Sequence, residues 1–88
     1  MKGYVYILQD DDGRYYIGST LDLARRMRQH VLGYTPTTKR MAKPRLILHQ
    51  EYQTLTEARR VETKIKRLKR KDYIDRMVQD GYIKLRDS

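Results

Sequence analysis

The stretch that most constrains the fold of this chain is residues 4–19, where two short apolar runs flank a turn signal. Residues 4–9 alternate with a period of two, so that Tyr6 and Ile7 are expected on opposite faces of a β-strand. The second run is equally rich in aromatic and β-branched residues. Residues 10–13 read Asp-Asp-Asp-Gly, in which Gly tolerates positive φ and Asp accepts hydrogen bonds from nearby backbone. The sequence therefore predicts an antiparallel hairpin.

A helix is predicted directly after the hairpin. There the apolar residues Leu23, Met27 and Val31 recur at helical spacing, which indicates one face turned to the core. Either Thr20 or Asp22 provides a side-chain oxygen that can cap the first turn. The chain therefore changes from β to α within a few residues.

Two later segments also carry a strand pattern. Residues 45–52 alternate, with Leu46, Leu48 and Tyr52 expected on one face of a third strand. Residues 82–85 alternate as well, so they predict a short strand close to the end of the sequence.

Two further helices are predicted in the second half. Thr54 and Glu57 have the spacing of a capping box, in which each side chain satisfies a free amide of the first turn. Apolar residues then recur every three or four positions through residues 55–68. The last helix is expected at about residues 72–80, with Gly81 positioned to end it.

The chain is strongly basic, with 20 Lys and Arg against 11 Asp and Glu and a formal charge of +9. Residues 23–50 contain no acidic residue, and residues 59–71 contain Glu62 as their one carboxylate. This distribution favours a polyanionic partner such as nucleic acid. A solvated helix face is the alternative explanation of such basic runs.

Length and cysteine content limit the remaining classes. A chain of 88 residues is expected to form one domain, residues 1–88, with one modest core. The absence of cysteine excludes disulfides and thiolate metal sites. Because the first apolar run is too short for a signal or membrane segment, we expect a soluble, cytoplasmic protein without a membrane partner. We also expect a monomer.

The motifs resemble those of the GIY-YIG nucleases. The similarity rests on Tyr4-Val5-Tyr6 as the first triplet, Tyr16-Ile17-Gly18 as the second, the following helix through Arg26 and His30, and Glu62 in the later helix. It extends over nearly the whole chain, most closely to small members that consist of the nuclease domain alone. The resemblance implies an α/β (α+β) fold, a three-stranded antiparallel sheet flanked by about three helices. It also implies a metal-dependent endonuclease that leaves 5′-phosphate and 3′-hydroxyl ends, with DNA a more probable substrate than RNA.

The resemblance also implies roles for individual side chains. Tyr6 would orient or deprotonate the attacking water, which requires positive charge to lower its phenol pKa from about 10. Tyr16 and Arg26 would hold the phosphate, and His30 would donate to phosphate or help to move the proton. Glu62 would bind a single Mg²⁺ or Mn²⁺.

Each of these residues also has a structural alternative. Tyr6 and Tyr16 can pack across adjacent strands, and a histidine beside an apolar seam can be structural. Glu62 can form a salt bridge with Arg26 or with a neighbouring lysine. If these alternatives hold, the chain is a non-catalytic basic nucleic-acid-binding module, or a basic adaptor for an acidic protein.

Contacts to nucleic acid are predicted in the segment before the first helix and along the basic runs. Gly18 is expected to permit close approach of backbone to phosphate or helix, and Ser19 and Thr20 to place amides at a helix N-terminus, where anions bind. The complete predicted set is Gly18, Ser19, Thr20, Arg25, Arg28, Lys39, Arg40, Lys43, Lys66, Lys69 and Arg70.

Overall fold

The computed structural model describes residues 1–32, 41–68 and 70–84. The elements in chain order are β1 (Gly3–Gln9), β2 (Tyr15–Thr20), α1 (Leu23–Val31), β3 (Arg45–Tyr52), α2 (Leu55–Leu68) and α3 (Lys71–Asp80). The strands form one antiparallel sheet in the order β2-β1-β3. The predicted fold class, a three-stranded antiparallel sheet with three helices, is confirmed. No helix in the described ranges is long and apolar enough to cross a membrane.

The turn between β1 and β2 is closed by the side chain of Asp10. Its Oδ1 accepts hydrogen bonds from the backbone N–H groups of Asp12, at 3.0 Å, and Arg14, at 2.8 Å. Gly13 adopts a φ of +81°, in the left-handed region that a residue without Cβ enters freely. The hairpin is therefore built as the turn sequence predicts.

The hairpin register assigns the two faces of β1 to different partners. Val5 and Ile7 lie on the face that α2 covers, and both are fully buried. The core on this face also contains Ile17, Leu48, Ala58, Val61, Ile65, Ile74, Met77 and Ile83. Tyr6 lies on the other face, opposite Gly18 of β2, and there it contacts His30 of α1.

A β-bulge changes the predicted faces of β3. Ile7 pairs with Leu48 but the next residue, Leu8, pairs with Leu46, so Ile47 is the extra residue of β3. An inserted residue reverses the alternation of side chains beyond it. Leu48 therefore faces the core, whereas Leu46 lies on the opposite face and is 38% exposed. The prediction that both leucines share a face was wrong.

The helix termini follow the sequence closely. Asp22 is the N-cap of α1, and its carboxylate accepts the N–H of Arg25. In the capping box, Thr54 Oγ1 accepts the N–H of Glu57 at 3.1 Å. Helix α3 ends at Gly81, as predicted, with a φ of +80°.

The predicted apolar stripe of α1 is only partly buried. Leu23 and Met27 are half-buried, but Val31 is 77% exposed. The buried residue of this helix is His30. The face of the sheet beneath α1 carries tyrosines, so an aromatic polar ring is accommodated there in place of an aliphatic stripe.

The predicted strand near the C-terminus is absent from residues 82–84, and Leu85 lies outside the described residues. Ile83 is nevertheless buried, at 3% exposure. The Ile83 N–H donates to Gln50 Oε1 at 2.8 Å, and the Ile83 carbonyl accepts from Gln50 Nε2 at 3.1 Å. The side-chain amide of Gln50 thus supplies both hydrogen bonds that a neighbouring strand would have supplied.

Candidate active site

The candidate site is built around the phenol of Tyr6, which extends from the central strand across the edge strand β2. The ring lies directly over Gly18, where an added Cβ would be 2.4 Å from Tyr6 Oη and 2.5 Å from Cζ. Glycine is therefore required at this position by the tyrosine ring. The expected close approach at Gly18 exists, but the approaching group is Tyr6.

Three rings enclose the phenol oxygen. Tyr6 Oη lies 2.9 Å from Nε2 of His30, and the two ring centroids are 5.4 Å apart. The Tyr16 ring completes the group, with its centroid 6.3 Å from that of Tyr6 and 5.5 Å from that of His30. Tyr6 is 1% exposed and His30 is 2% exposed. Both tyrosine rings contact His30 edge-on, and they are tilted to each other, so the three rings pack around the hydrogen bond between Tyr6 and His30.

The electrostatics of this group differ from the sequence-based expectation. Burial raises the pKa of Tyr6 above its usual value, and Tyr16 raises it further, while Arg26 acts in the opposite direction. The expected net lowering of the Tyr6 pKa by positive charge is therefore outweighed by desolvation. Burial, and then Arg26, lowers the pKa of His30. At neutral pH the pair consequently consists of an uncharged phenol and an uncharged imidazole.

Glu62 of α2 reaches the same edge of the sheet from the core side. One carboxylate oxygen accepts a hydrogen bond from the Ser19 hydroxyl. The other lies 2.6 Å from the ammonium of Lys66, and the Glu62 side chain is 17% exposed. Its charge contributes to raising the Tyr6 pKa. The structure thus contains the salt bridge to a neighbouring lysine that the sequence left open.

The carboxylate can also serve a metal ion. The described ranges contain no group of three or more His, Cys, Asp or Glu side chains that could hold one. A metal at Glu62 would therefore keep most of its water ligands, a donor set that suits Mg²⁺. The ammonium of Lys66 already provides a cation at this carboxylate, so the position favours positive charge. The residues present fit a hydrated divalent cation.

The structure of the segment before α1 differs from the prediction. Gly18 and Thr20 are buried, and Thr20 Oγ1 accepts the N–H of Asp22 at 3.2 Å. Ser19 and Thr20 belong to β2, and the first turn of α1 is capped by the Asp22 carboxylate. The predicted anion site made by the amides of Ser19 and Thr20 at a helix N-terminus is therefore wrong. Asp22 already satisfies that turn with a negative charge.

The predicted basic contacts have several environments. Arg25, Arg28 and Lys43 are exposed, whereas Arg70 pairs with Asp72 at 2.8 Å. Lys66 pairs with Glu62, as described above. The remaining predicted contacts, Lys39, Arg40 and Lys69, lie outside the described residues.

Sequence reasoning did not identify Ser19 as the partner of Glu62 or Arg59 as a residue beside the site. Arg59 lines a cavity of about 350 Å³ together with Arg25 and Arg26. Its position three residues before Glu62 on a helix was a usable signal, because residues at that spacing share a face. The contact between Ser19 and Glu62 joins β2 to α2, so no local sequence pattern indicates it.

Comparisons with known proteins agree with this arrangement. The sequence profile of the GIY-YIG catalytic domain matches residues 2–75. A UPF0213 protein of Streptococcus pneumoniae is 40% identical over 70 residues, which cover 78% of this chain and 71% of that protein. A UPF0213 protein of Halalkalibacterium halodurans is 38% identical over 72 residues, covering 81% and 77%. The solution NMR structure of a UPF0213 protein from Bacillus halodurans matches with a TM-score of 0.59 and 33% identity, covering 92% of this chain and 87% of that one.

Proposed function

The chain belongs to the GIY-YIG family, a nuclease superfamily, and on that premise we propose that it is a metal-dependent endonuclease that hydrolyses phosphodiester bonds, with DNA as the expected substrate. The observation that carries the proposal is the hydrogen bond between Tyr6 Oη and His30 Nε2, at 2.9 Å, beside the ring of Tyr16. Cross-strand packing alone would not require a buried imidazole from another element at this oxygen. The arrangement is that of a phenol with its own proton acceptor.

In the proposed reaction Tyr6 passes a proton from water to His30. The water oxygen attacks phosphorus while the water proton moves to Tyr6 Oη. The Tyr6 hydroxyl proton moves to His30 Nε2, which becomes imidazolium. Because the pKa of Tyr6 is raised, a free phenolate is unfavourable. In the relay the phenol gains a proton from water as it loses one to His30, so it does not become a free phenolate. The bond from phosphorus to the 3′ oxygen breaks, and that oxygen leaves with the electron pair and takes a proton from solvent water, which gives the 3′-hydroxyl end.

Tyr16 and Arg26 provide the contacts to the phosphate in this proposal. The charge of Arg26 acts to lower the pKa of both Tyr6 and His30, so the guanidinium is near both rings. A planar guanidinium donates to two oxygens at once, which suits a phosphorus centre that gains negative charge. Tyr16 adds a hydroxyl donor on the same face of the sheet.

Glu62 is the residue that would hold the metal, with Ser19 fixing one carboxylate oxygen. A bound Mg²⁺ or Mn²⁺ would supply positive charge for the departing oxygen. Lys66 would have to release the second carboxylate oxygen, which it contacts at 2.6 Å. Its side chain is 51% exposed, so it has room to turn towards a substrate phosphate.

One observation favours the alternative function, a non-catalytic basic module that binds nucleic acid. The ion pair between Glu62 and Lys66 gives the carboxylate a structural partner without any metal. In that case Glu62 would have only a structural role, as one member of an ion pair on α2. The two functions differ in a direct assay.

The deciding experiment is a cleavage panel of single-stranded, duplex, flap and branched DNA, and RNA, with Mg²⁺ or Mn²⁺ and an EDTA control. We expect metal-dependent cleavage of at least one DNA substrate, with 5′-phosphate and 3′-hydroxyl products. Binding to the same substrates without cleavage under every metal condition would support the non-catalytic module and contradict the nuclease.

A further inference from the structure

A basic surface extends from the candidate site onto the outer side of α2. It consists of two adjoining cavities. The first, of about 350 Å³, is lined by Arg25, Arg26 and Arg59 among others. The second, of about 410 Å³, is lined by Thr56, Arg59, Arg60, Thr63 and Arg67. Arg59 lines both cavities. Arg26 connects the first cavity to the cluster of Tyr6, Tyr16 and His30.

The helix itself explains this alignment. Residues 56, 60, 63 and 67 follow one another at intervals of four, three and four, so they project from one face of α2. From Arg59 to Arg67 the helix rises about 12 Å at 1.5 Å per residue. One strand of duplex DNA carries a phosphate roughly every 3.4 Å along the axis, so this length covers several successive phosphates.

Three arginines of this surface, Arg25, Arg59 and Arg67, have no ion pair with a carboxylate among the described residues. Cations that do have a carboxylate partner within 4 Å include Lys2, Arg14, Arg45, Lys66, Arg70 and Lys84. Arg25, Arg59 and Arg67 are exposed and are not among them. Asp22 lines the first cavity, but its carboxylate caps α1. Clustered like charges repel one another until an external anion binds.

We propose that Arg25, Arg59 and Arg67, the arginine track, bind successive phosphates of the nucleic-acid strand on one side of the cleaved bond. The inference rests on the proposed nuclease function, because that function places the scissile phosphate at Arg26. Guanidinium groups suit this role since they donate two parallel hydrogen bonds to phosphate oxygens. The strand leaves on the side of Arg26, because Arg25 and Arg59 line one cavity together with Arg26 there.

The test measures binding without cleavage. Fluorescence anisotropy of labelled DNA strands is recorded in EDTA over a series of salt concentrations, for wild type and for the double variant Arg59→Ala/Arg67→Ala. Each phosphate contact contributes about 0.7 to the slope of log affinity against log salt for a single strand and about 0.9 for a duplex. We expect the double variant to lose about 1.4 for a single strand or about 1.8 for a duplex.

Two matched variants complete the test. Arg76→Ala removes an exposed arginine of α3 that lies outside both cavities, and it should leave the slope unchanged. Arg59→Lys/Arg67→Lys keeps the charge and should restore most of the slope. Thermal unfolding of each variant verifies that the helix is intact, which is expected because both track positions are exposed.

An unchanged slope in the double alanine variant would overturn the proposal, as would an equal loss in Arg76→Ala. Binding of poly-glutamate as tight as that of DNA, lost in the double variant, would also overturn it and identify an acidic protein as the partner. Because EDTA prevents metal-dependent cleavage, the slope does not depend on catalysis. A wild type that never cleaves but has a track-dependent slope would contradict the nuclease and leave the arginine track as a binding site.

Discussion

The hydroxyl of Tyr6 and Nε2 of His30 are 2.9 Å apart, which joins the central strand to the first helix inside the protein. The contact places the imidazole of His30 at a phenol that burial keeps uncharged. It also accounts for the glycine beneath the ring, since any side chain at Gly18 would displace the phenol oxygen.

Tyr6→Phe should reduce the cleavage rate about 10²- to 10⁴-fold, because it removes the oxygen that relays the proton and retains the ring. Tyr4→Phe is the matched control. Tyr4 lies on the same face of β1, but its hydroxyl is bonded to Glu51 of β3 at 3.2 Å, away from the cluster. Single-turnover cleavage by both variants gives the measurement. Equal rates for the two variants would contradict the role of Tyr6.

His30→Asn should change the pH dependence of stability. The pKa of folded His30 is lowered below 6.5, so the folded protein favours the neutral ring, while the unfolded chain takes up a proton near pH 6.5. The stabilising effect of this residue is therefore complete above pH 6.5 and declines as the pH falls below it. The Tm difference between wild type and His30→Asn should shrink at acid pH. A difference that is constant from pH 5 to pH 8 would contradict a buried neutral His30.

Gly18→Ala should disturb Tyr6 more than the fold. Overpacking of this kind costs about 1–3 kcal/mol. The new methyl group would displace Tyr6 from His30, so cleavage should fall about as far as in Tyr6→Phe. If the loss acts through Tyr6, the double variant Gly18→Ala/Tyr6→Phe should cleave no more slowly than Tyr6→Phe alone. Additive losses in the double variant would show that Gly18 acts on another group.

Glu62→Ala should abolish cleavage while nucleic-acid binding persists or tightens, because a negative charge beside the phosphate is removed. An (i, i+4) ion pair on a helix is worth about 0.3–0.5 kcal/mol, so Tm should shift by no more than about 4 °C. Cleavage, anisotropy and thermal unfolding are measured on the same protein. A fall in Tm well beyond that range with metal-dependent cleavage retained would identify Glu62 as a structural residue.

Lys66→Ala should tighten the binding of Mn²⁺ about twofold, because an ammonium worth roughly 0.3–0.5 kcal/mol no longer competes for Glu62. Electron spin resonance of Mn²⁺ measures this binding without any cleavage. Arg67→Ala, one residue further along α2, is the control for the change in net charge. Equal affinities in wild type and both variants would mean that the metal does not bind at the carboxylate that Lys66 contacts.

The sequence alone predicted most of the elements. The Asp-Gly turn at residues 10–13 and the alternation around it predicted the hairpin, and the spacing of Thr54 and Glu57 predicted where α2 begins. These features are local, since a turn, a cap or a period depends on residues within a few positions of one another. The site residues themselves were nominated by the resemblance of their motifs, which also supplied the antiparallel placement of β3.

Only the tertiary structure determined which residues pack against each face of the sheet and of the helices. Periodicity grouped Leu46 with Leu48, but a bulge at Ile47 separates them. It placed Val31 on a buried stripe, whereas His30 is the residue that α1 buries. The contact of Ser19 with Glu62 spans 43 residues and no local pattern announces it. A sequence pattern records which side chains share a face, but their partners depend on which element packs there, because burial and pairing are set by neighbours distant in the chain.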